Sequence, residues 1–178
     1  MRDKVIDFVK TKIESLTWEE PIWEFCSGWD ASVRKLFEGK DYHTLDLYQW
    51  GDVEVVTDVK NIPLEDNSVG LALLLEALEH IDEPKKAIDE IFRVLKPNGL
   101  FIVTTHTCWE IHGTDQYKDY WRFMPDGLSY LLASFRDVEI ILDGPTNQPW
   151  GGGIWATAYK PQVKTSKNKK IIVGEENK

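Results

Sequence analysis

Cysteine is nearly absent. The only two in 178 residues, Cys26 and Cys108, form neither a metal-ligand spacing nor a disulfide framework. Basic charge is also short, with 21 Lys and Arg against 30 Asp and Glu and a net charge of −9. A phosphate backbone would be repelled by that balance, which disfavours nucleic acid as a non-specific partner. No apolar run approaches the roughly 20 residues that a membrane-spanning helix needs. The opening segment, MRDKVIDFVKTKIES, sets charges among its apolar positions and does not read as a secretory signal, so a cytoplasmic location is expected. What remains is an ordinary globular composition, 42% apolar and 29% charged, in a length that suits one domain. The eight tryptophans suit a core or a ligand pocket equally well.

Apolar periodicity divides the chain into alternating elements. Residues 3 to 15 carry Val5, Phe8, Val9 and Ile13 at helical spacing. Pro21 to Cys26, Tyr42 to Leu47 and Val53 to Thr57 read as strands, with a helix from Ala31 to Phe37 between the first two. Val69 to Leu75 (VGLALLL) is apolar throughout, as a strand covered on both faces should be. A helix then runs from Glu76 through Ala87, Ile88, Ile91 and Leu95 and stops at Lys96-Pro97-Asn98-Gly99. Leu100 to Thr105 reads as a strand, Pro125 to Phe135 as a helix, and Val138 to Leu142 and Ile154 to Tyr159 as two last strands. Residues 1–160 therefore read as one domain, and the Lys-rich segment 161–178 as a tail without fixed structure. Strands alternating with helices predict a mainly parallel sheet with its ligands at the carboxyl ends of the strands.

The candidate residues follow those strand ends. Glu24-Phe25-Cys26-Ser27-Gly28-Trp29-Asp30 lies where a dinucleotide fold has its glycine loop, but it keeps one glycine and no Lys or Arg. A pyrophosphate cradle needs several glycines and a positive environment. An acidic loop fits a phosphate-free cationic cofactor better, and it is also compatible with a plain turn capped by Asp30. Asp46 ends the second strand 20 positions beyond Cys26, where an acidic residue can accept hydrogen bonds from ribose hydroxyls. Asp58 follows the third strand and can accept an exocyclic adenine amine with Val59 beside the ring, or serve as a loop or cap aspartate. His106 and His112 are the candidate catalytic bases or substrate contacts, whereas His80, at helical spacing from Glu76, reads as structural. Tyr120, Trp121 and Arg122 suit a sugar-like or other polar acceptor. The same loop also reads as a lid packed on its own aromatics, with Arg122 paired to Asp119 or Asp126.

The stretch from Asp58 to Thr107 resembles class I S-adenosylmethionine-dependent methyltransferases of the type 11 sort. The motifs that carry the resemblance are Asp58 to Pro63, Glu76-Ala77-Leu78-Glu79-His80, and Arg93-Val94-Leu95-Lys96-Pro97-Asn98-Gly99, within a likeness covering roughly residues 21 to 160. His112 to Phe135 resembles a subgroup associated with glycan or cell-envelope biosynthesis. The resemblance implies a Rossmann-like three-layer αβα sandwich with a seven-stranded, mainly parallel sheet, order 3-2-1-4-5-7-6, whose last two strands form an antiparallel pair. It further implies S-adenosyl-L-methionine as cofactor, held by Glu24, Cys26, Gly28, Asp30, Asp46, Leu47, Asp58, Val59, Leu75 and Glu76. The sequence departs from the family where Cys26 and Asp30 replace glycines of the first motif. Methyl transfer to a small-molecule or glycan-like acceptor is the expected function. The alternative is a methyltransferase-like scaffold that binds without catalysis; a nicotinamide-dependent oxidoreductase is disfavoured by the missing glycines.

Overall fold

The apolar runs that lack a polar face become the middle of the sheet. A computed structural model describes residues 2–29, 32–143, 152–162 and 169–173. Its strands are β1 Ile22–Phe25, β2 Tyr42–Asp46, β3 Val55–Val56, β4 Val69–Leu75, β5 Leu95–Cys108, β6 Arg136–Leu142, β7 Gly152–Tyr159 and β8 Lys169–Val173. Its α-helices are α1 Arg2–Ser15, α2 Pro84–Val94 and α3 Pro125–Leu131. The sheet order is β3-β2-β1-β4-β5-β7-β6-β8, so the expected 3-2-1-4-5-7-6 order is present with one strand added. β7 runs antiparallel to both β5 and β6, which makes the expected C-terminal antiparallel pair.

Alternate side chains of a strand point to opposite faces, and the two faces hold separate cores. Trp23, Phe25, Ala72, Leu74, Phe101 and Val103 pack with α2 and α3 through Ala87, Ile88, Ile91 and Leu128. Ile22, Leu71, Leu73, Leu100 and Ile102 pack with α1 through Val5, Phe8 and Val9. Phe8 and Trp155 bring their ring centroids to 4.9 Å on that second face. Each such aliphatic or aromatic side chain contributes about 1.5–3 kcal/mol when buried. That reserve allows the loops above the sheet to hold strained backbone.

Several elements differ from the sequence reading. The tail expected to lack structure supplies β8, which pairs in parallel with β6 from Val138↔Lys169 to Leu142↔Val173. The lysines dominate its composition, but an edge strand offers unpaired backbone groups to any extended segment that reaches it, and Ile171, Ile172 and Val173 are β-branched. The expected helix over Ala31 to Phe37 is a 3₁₀ turn over Val33–Phe37, with Ala31 outside the described residues. The expected helix from Glu76 is interrupted. Glu76 is left-handed at φ +50, Leu78–His80 is a 3₁₀ turn, and α2 begins at Pro84, which suits a first helical turn. His80 is therefore not on a helix with Glu76. The third strand contracts to Val55–Val56. No helix among the described residues is long and apolar enough to cross a membrane.

Candidate active site

The carboxyl ends of β1, β2 and β4 meet at one edge of the sheet, and two of the turns leaving them are left-handed. Cys26 has φ +56 and Gly28 φ +65, immediately beyond β1. This conformation costs a non-glycine residue about 1–2 kcal/mol, yet Cys26 keeps it. The turn directs the Gly28 N–H onto Asp46 Oδ2 at 2.9 Å. A Cβ built on Gly28 would meet no atom within 4 Å, so the positive φ, and not crowding, is what favours glycine there.

Asp46 is almost fully buried at the end of β2. Besides Gly28, it accepts the Tyr48 N–H at 3.0 Å and the Trp50 indole N–H at 3.1 Å, both on Oδ1. A carboxylate offers about four acceptor sites, so among the described residues one on Oδ2 is open, and a second opens if the Trp50 side chain moves. Glu24 is buried on β1 and accepts the Tyr42 hydroxyl, which turns it toward β2. A small open cleft adjoins this loop, lined by Glu24, Ser27, Gly28, Trp29, Arg34 and Tyr42 among others. The Cys26 thiol is pushed well up by burial, and further by the charges of Asp46 and Asp58, so it is held as a neutral thiol.

The remaining cofactor candidates are placed around the same edge. Asp58 Oδ1 accepts the Lys60 N–H at 2.8 Å, and its side chain is 42% exposed. Val59 is buried in the α2-side core, Leu75 is buried at the end of β4, and Leu47 is exposed. The Glu76 N–H donates to the Thr104 carbonyl and to Thr104 Oγ1, both at 3.0 Å, and this fixes the left-handed turn. Asp30 lies outside the described residues.

Beside Glu76 lies a cluster that the sequence reading missed. His106, near the end of β5 and buried, brings Nε2 to 3.0 Å from Glu76 Oε2 and 3.1 Å from Glu79 Oε1. Burial alone would push the imidazole down, but the two carboxylates outweigh it and raise His106 to about 9. Glu79, with no exposed surface, is resisted by burial but held below its ordinary value by His106 and by the Thr105 hydroxyl, which donates to Oε2 at 2.7 Å. A histidine held as a cation at neutral pH is a poor proton acceptor. The geometry of His106 between two carboxylates thus suits a charge holder better than the general base expected of it. Glu79 carried no signal of its own in the sequence, because Glu76-Ala77-Leu78-Glu79-His80 reads as one helical surface until the turn at Glu76 swings Glu79 inward.

The loop after β5 folds back over this cluster. The Tyr120 and Trp121 N–H groups donate to the Glu79 carbonyl at 2.9 and 3.2 Å, and the Phe123 N–H donates to the His106 carbonyl at 2.8 Å. The Trp121 indole donates to Ile81 O at 2.8 Å. Arg122 engages all five of its N–H donors within the loop. Nε reaches Trp109 O, Nη1 reaches Asp119 and Trp121 O, and Nη2 reaches Asp119 and Glu110 O. The substrate role expected of Arg122 is thus corrected to a loop staple, since no donor is left for a ligand. Tyr120 and Trp121 keep exposed rings above the site. His112 sits between His80 and Asp119.

Comparison with known proteins bears on the fold and on residues 29–103. The family described as "Methyltransferase domain" matches residues 29–103. The chain is similar to a malonyl-[acyl-carrier protein] O-methyltransferase of Nitrosospira multiformis, 33% identical over 85 residues that make up 48% of this chain and 22% of that protein. It is also similar to a demethylmenaquinone methyltransferase of Chlamydia pneumoniae, 30% identical over 100 residues, covering 46% of this chain and 41% of that one. The chain thus spans less than half the length of these relatives. Among solved structures, phosphoethanolamine N-methyltransferase 2 of Haemonchus contortus with S-adenosyl-L-methionine superposes with a TM-score of 0.68 at 13% identity, over 90% of this chain and 53% of that one. Over residues 29–103 the chain thus resembles the methyltransferase-domain family, and its sheet order is that of the class I methyltransferase fold.

Proposed function

We propose that the chain binds S-adenosylmethionine across the ends of β1, β2 and β4 and directs its methyl group to a small-molecule acceptor. The observation that carries this reading is the left-handed Cys26–Gly28 turn that hands the Gly28 N–H to Asp46. The backbone takes the glycine-loop conformation although a cysteine stands in it. The open lone pair of Asp46 suits a ribose hydroxyl, Asp58 and Val59 suit the adenine, and Leu75 and Glu76 flank the path between them. The uncrowded space at Gly28 and the neighbouring acidic groups suit a cationic methionine moiety without phosphate. When bound, the cofactor supplies an electrophilic methyl group on a sulfonium.

The chain's own work is alignment and exclusion of water, the main requirement of an in-line displacement. The loop clamped to Glu79 O carries Tyr120 and Trp121 over the site, where their rings suit an apolar or aromatic acceptor. In the metal-free chain His112, partly exposed on that loop, is the better placed of the two candidate bases, since His106 already holds its proton. Calorimetric titration of the chain with S-adenosylmethionine and with S-adenosylhomocysteine tests the reading. One-to-one binding of both is expected, and no heat with either from a folded chain overturns it.

Cys26→Gly should leave the affinity for S-adenosylmethionine unchanged or raise it. Glycine relieves the left-handed strain and removes a side chain from the cofactor's path. A tenfold or greater loss, read in the same calorimeter, would make the thiol a cofactor contact instead.

A further inference from the structure

His80 and His112 face one another in a way that two neutral imidazoles do not sustain. His80 Nδ1 lies 2.6 Å from Lys118 O, and His112 Nδ1 lies 2.9 Å from Glu110 O. A carbonyl oxygen only accepts, so each Nδ1 carries the ring proton. Both Nε2 atoms are then left with lone pairs, and they point at each other across 3.1 Å. A third unsatisfied donor atom converges on the same place. Glu79 Oε1 lies 3.9 Å from His80 Nε2, its side chain has no exposed surface, and it receives no hydrogen bond. His106 Nε2, the ion-pair partner of this carboxylate, lies 3.1 Å from the same oxygen.

We infer that Glu79, His80 and His112 form a binding site for a divalent transition-metal ion of the zinc class. The donor set is two imidazole nitrogens and one carboxylate oxygen, with all three atoms within 4.8 Å of one another. A tetrahedral ion with bonds of roughly 2.0–2.1 Å needs its ligand atoms about 3.3 Å apart, so small side-chain movements close the site. The outer contacts are already built. Lys118 O and Glu110 O orient the two rings, and Asp119 Oδ2 lies 3.5 Å from His112 Nδ1, the arrangement that fixes the tautomer of a ligating histidine. Three protein ligands leave one position for water or an acceptor oxygen. The ion would tie the loop after β5 to the turn after β4, because His112 comes from one and Glu79 and His80 from the other. The inference concerns metal binding alone and stands whether or not the chain transfers methyl groups.

The test uses the full chain, freed of metal with a chelator and titrated with Co2+ and then Zn2+. Uptake of one Co2+ per chain is expected, with the intense visible bands of a four-coordinate site and their loss on displacement by Zn2+. His112→Ala lies in a partly exposed loop and should fold. It should lose the visible bands and at least tenfold in affinity, and His80→Ala should do the same. Two results overturn the proposal: no uptake by the wild-type chain, which would leave the two rings sharing a proton, or uptake that is undiminished in both variants.

Discussion

Replacing His106 by alanine is expected to lower the unfolding free energy near pH 6 by about 3–5 kcal/mol, the cost of removing one partner from a buried ion pair. Glu79 would remain with no exposed surface and no cation, and Glu76 Oε2 would lose its partner as well. The deficit should depend on pH in a stated direction. His106 is raised from 6.5 to about 9, so its contribution is complete below pH 6.5 and disappears as pH climbs through 9. Glu79 is held below 4.5, so its contribution is complete above pH 4.5 and is lost as pH falls through that lowered value. The difference between wild type and His106→Ala should therefore be greatest between these limits and shrink toward pH 9. Urea denaturation of both proteins, in chelator to keep the site metal-free, measures it. A deficit under about 1 kcal/mol at pH 6, within the range of exposed pairs, would rule out a buried pair of this strength.

Asp46→Ala should weaken S-adenosylmethionine binding by roughly 10–150-fold, the equivalent of about 1.5–3 kcal/mol for one hydrogen bond to a charged acceptor. The same carboxylate holds the Gly28 and Tyr48 amides and the Trp50 indole, so the mutation also loosens the turn that shapes the site. Asp46→Asn separates the two effects. With its oxygen toward Tyr48 and Trp50 the amide keeps those two donors and loses Gly28 alone, so the protein should stay folded while the affinity still falls. Calorimetry on both variants, with circular dichroism as a check on folding, reads the outcome. Unchanged affinity in a folded Asp46→Ala protein would move the ribose contact elsewhere.

The fold was legible because its signals are local and redundant. VGLALLL has no polar face, so it becomes the covered strand β4, and the spacing of Ala87, Ile88 and Ile91 turns α2 onto one face of the sheet. Asp46 could be singled out because its distance from the first loop follows from the length of a β-turn-β unit. Composition misled at the tail, where lysines concealed a strand that needs the β6 edge in order to pair. Arg122 had two readings, a ligand contact or a lid residue paired to Asp119 or Asp126, and the structure favours the second. A guanidinium among aromatics reads as a ligand contact until its five donors are traced to Asp119 and three loop carbonyls.

By itself the sequence determined the layers and the edge of the sheet where a ligand belongs, since both follow from periodicity and the alternation of strands with helices, whereas the strand order came only from the resemblance that its motifs carry. Only the tertiary structure decided the chemistry of that edge. Glu76 at φ +50 breaks the helix that the sequence promised and turns Glu79 beneath His106. The loop returning over β5 then sets His112 against His80. Those partners are 27 and 32 residues apart along the chain. No local pattern relates residues at that separation, because their meeting depends on where two turns leave the sheet.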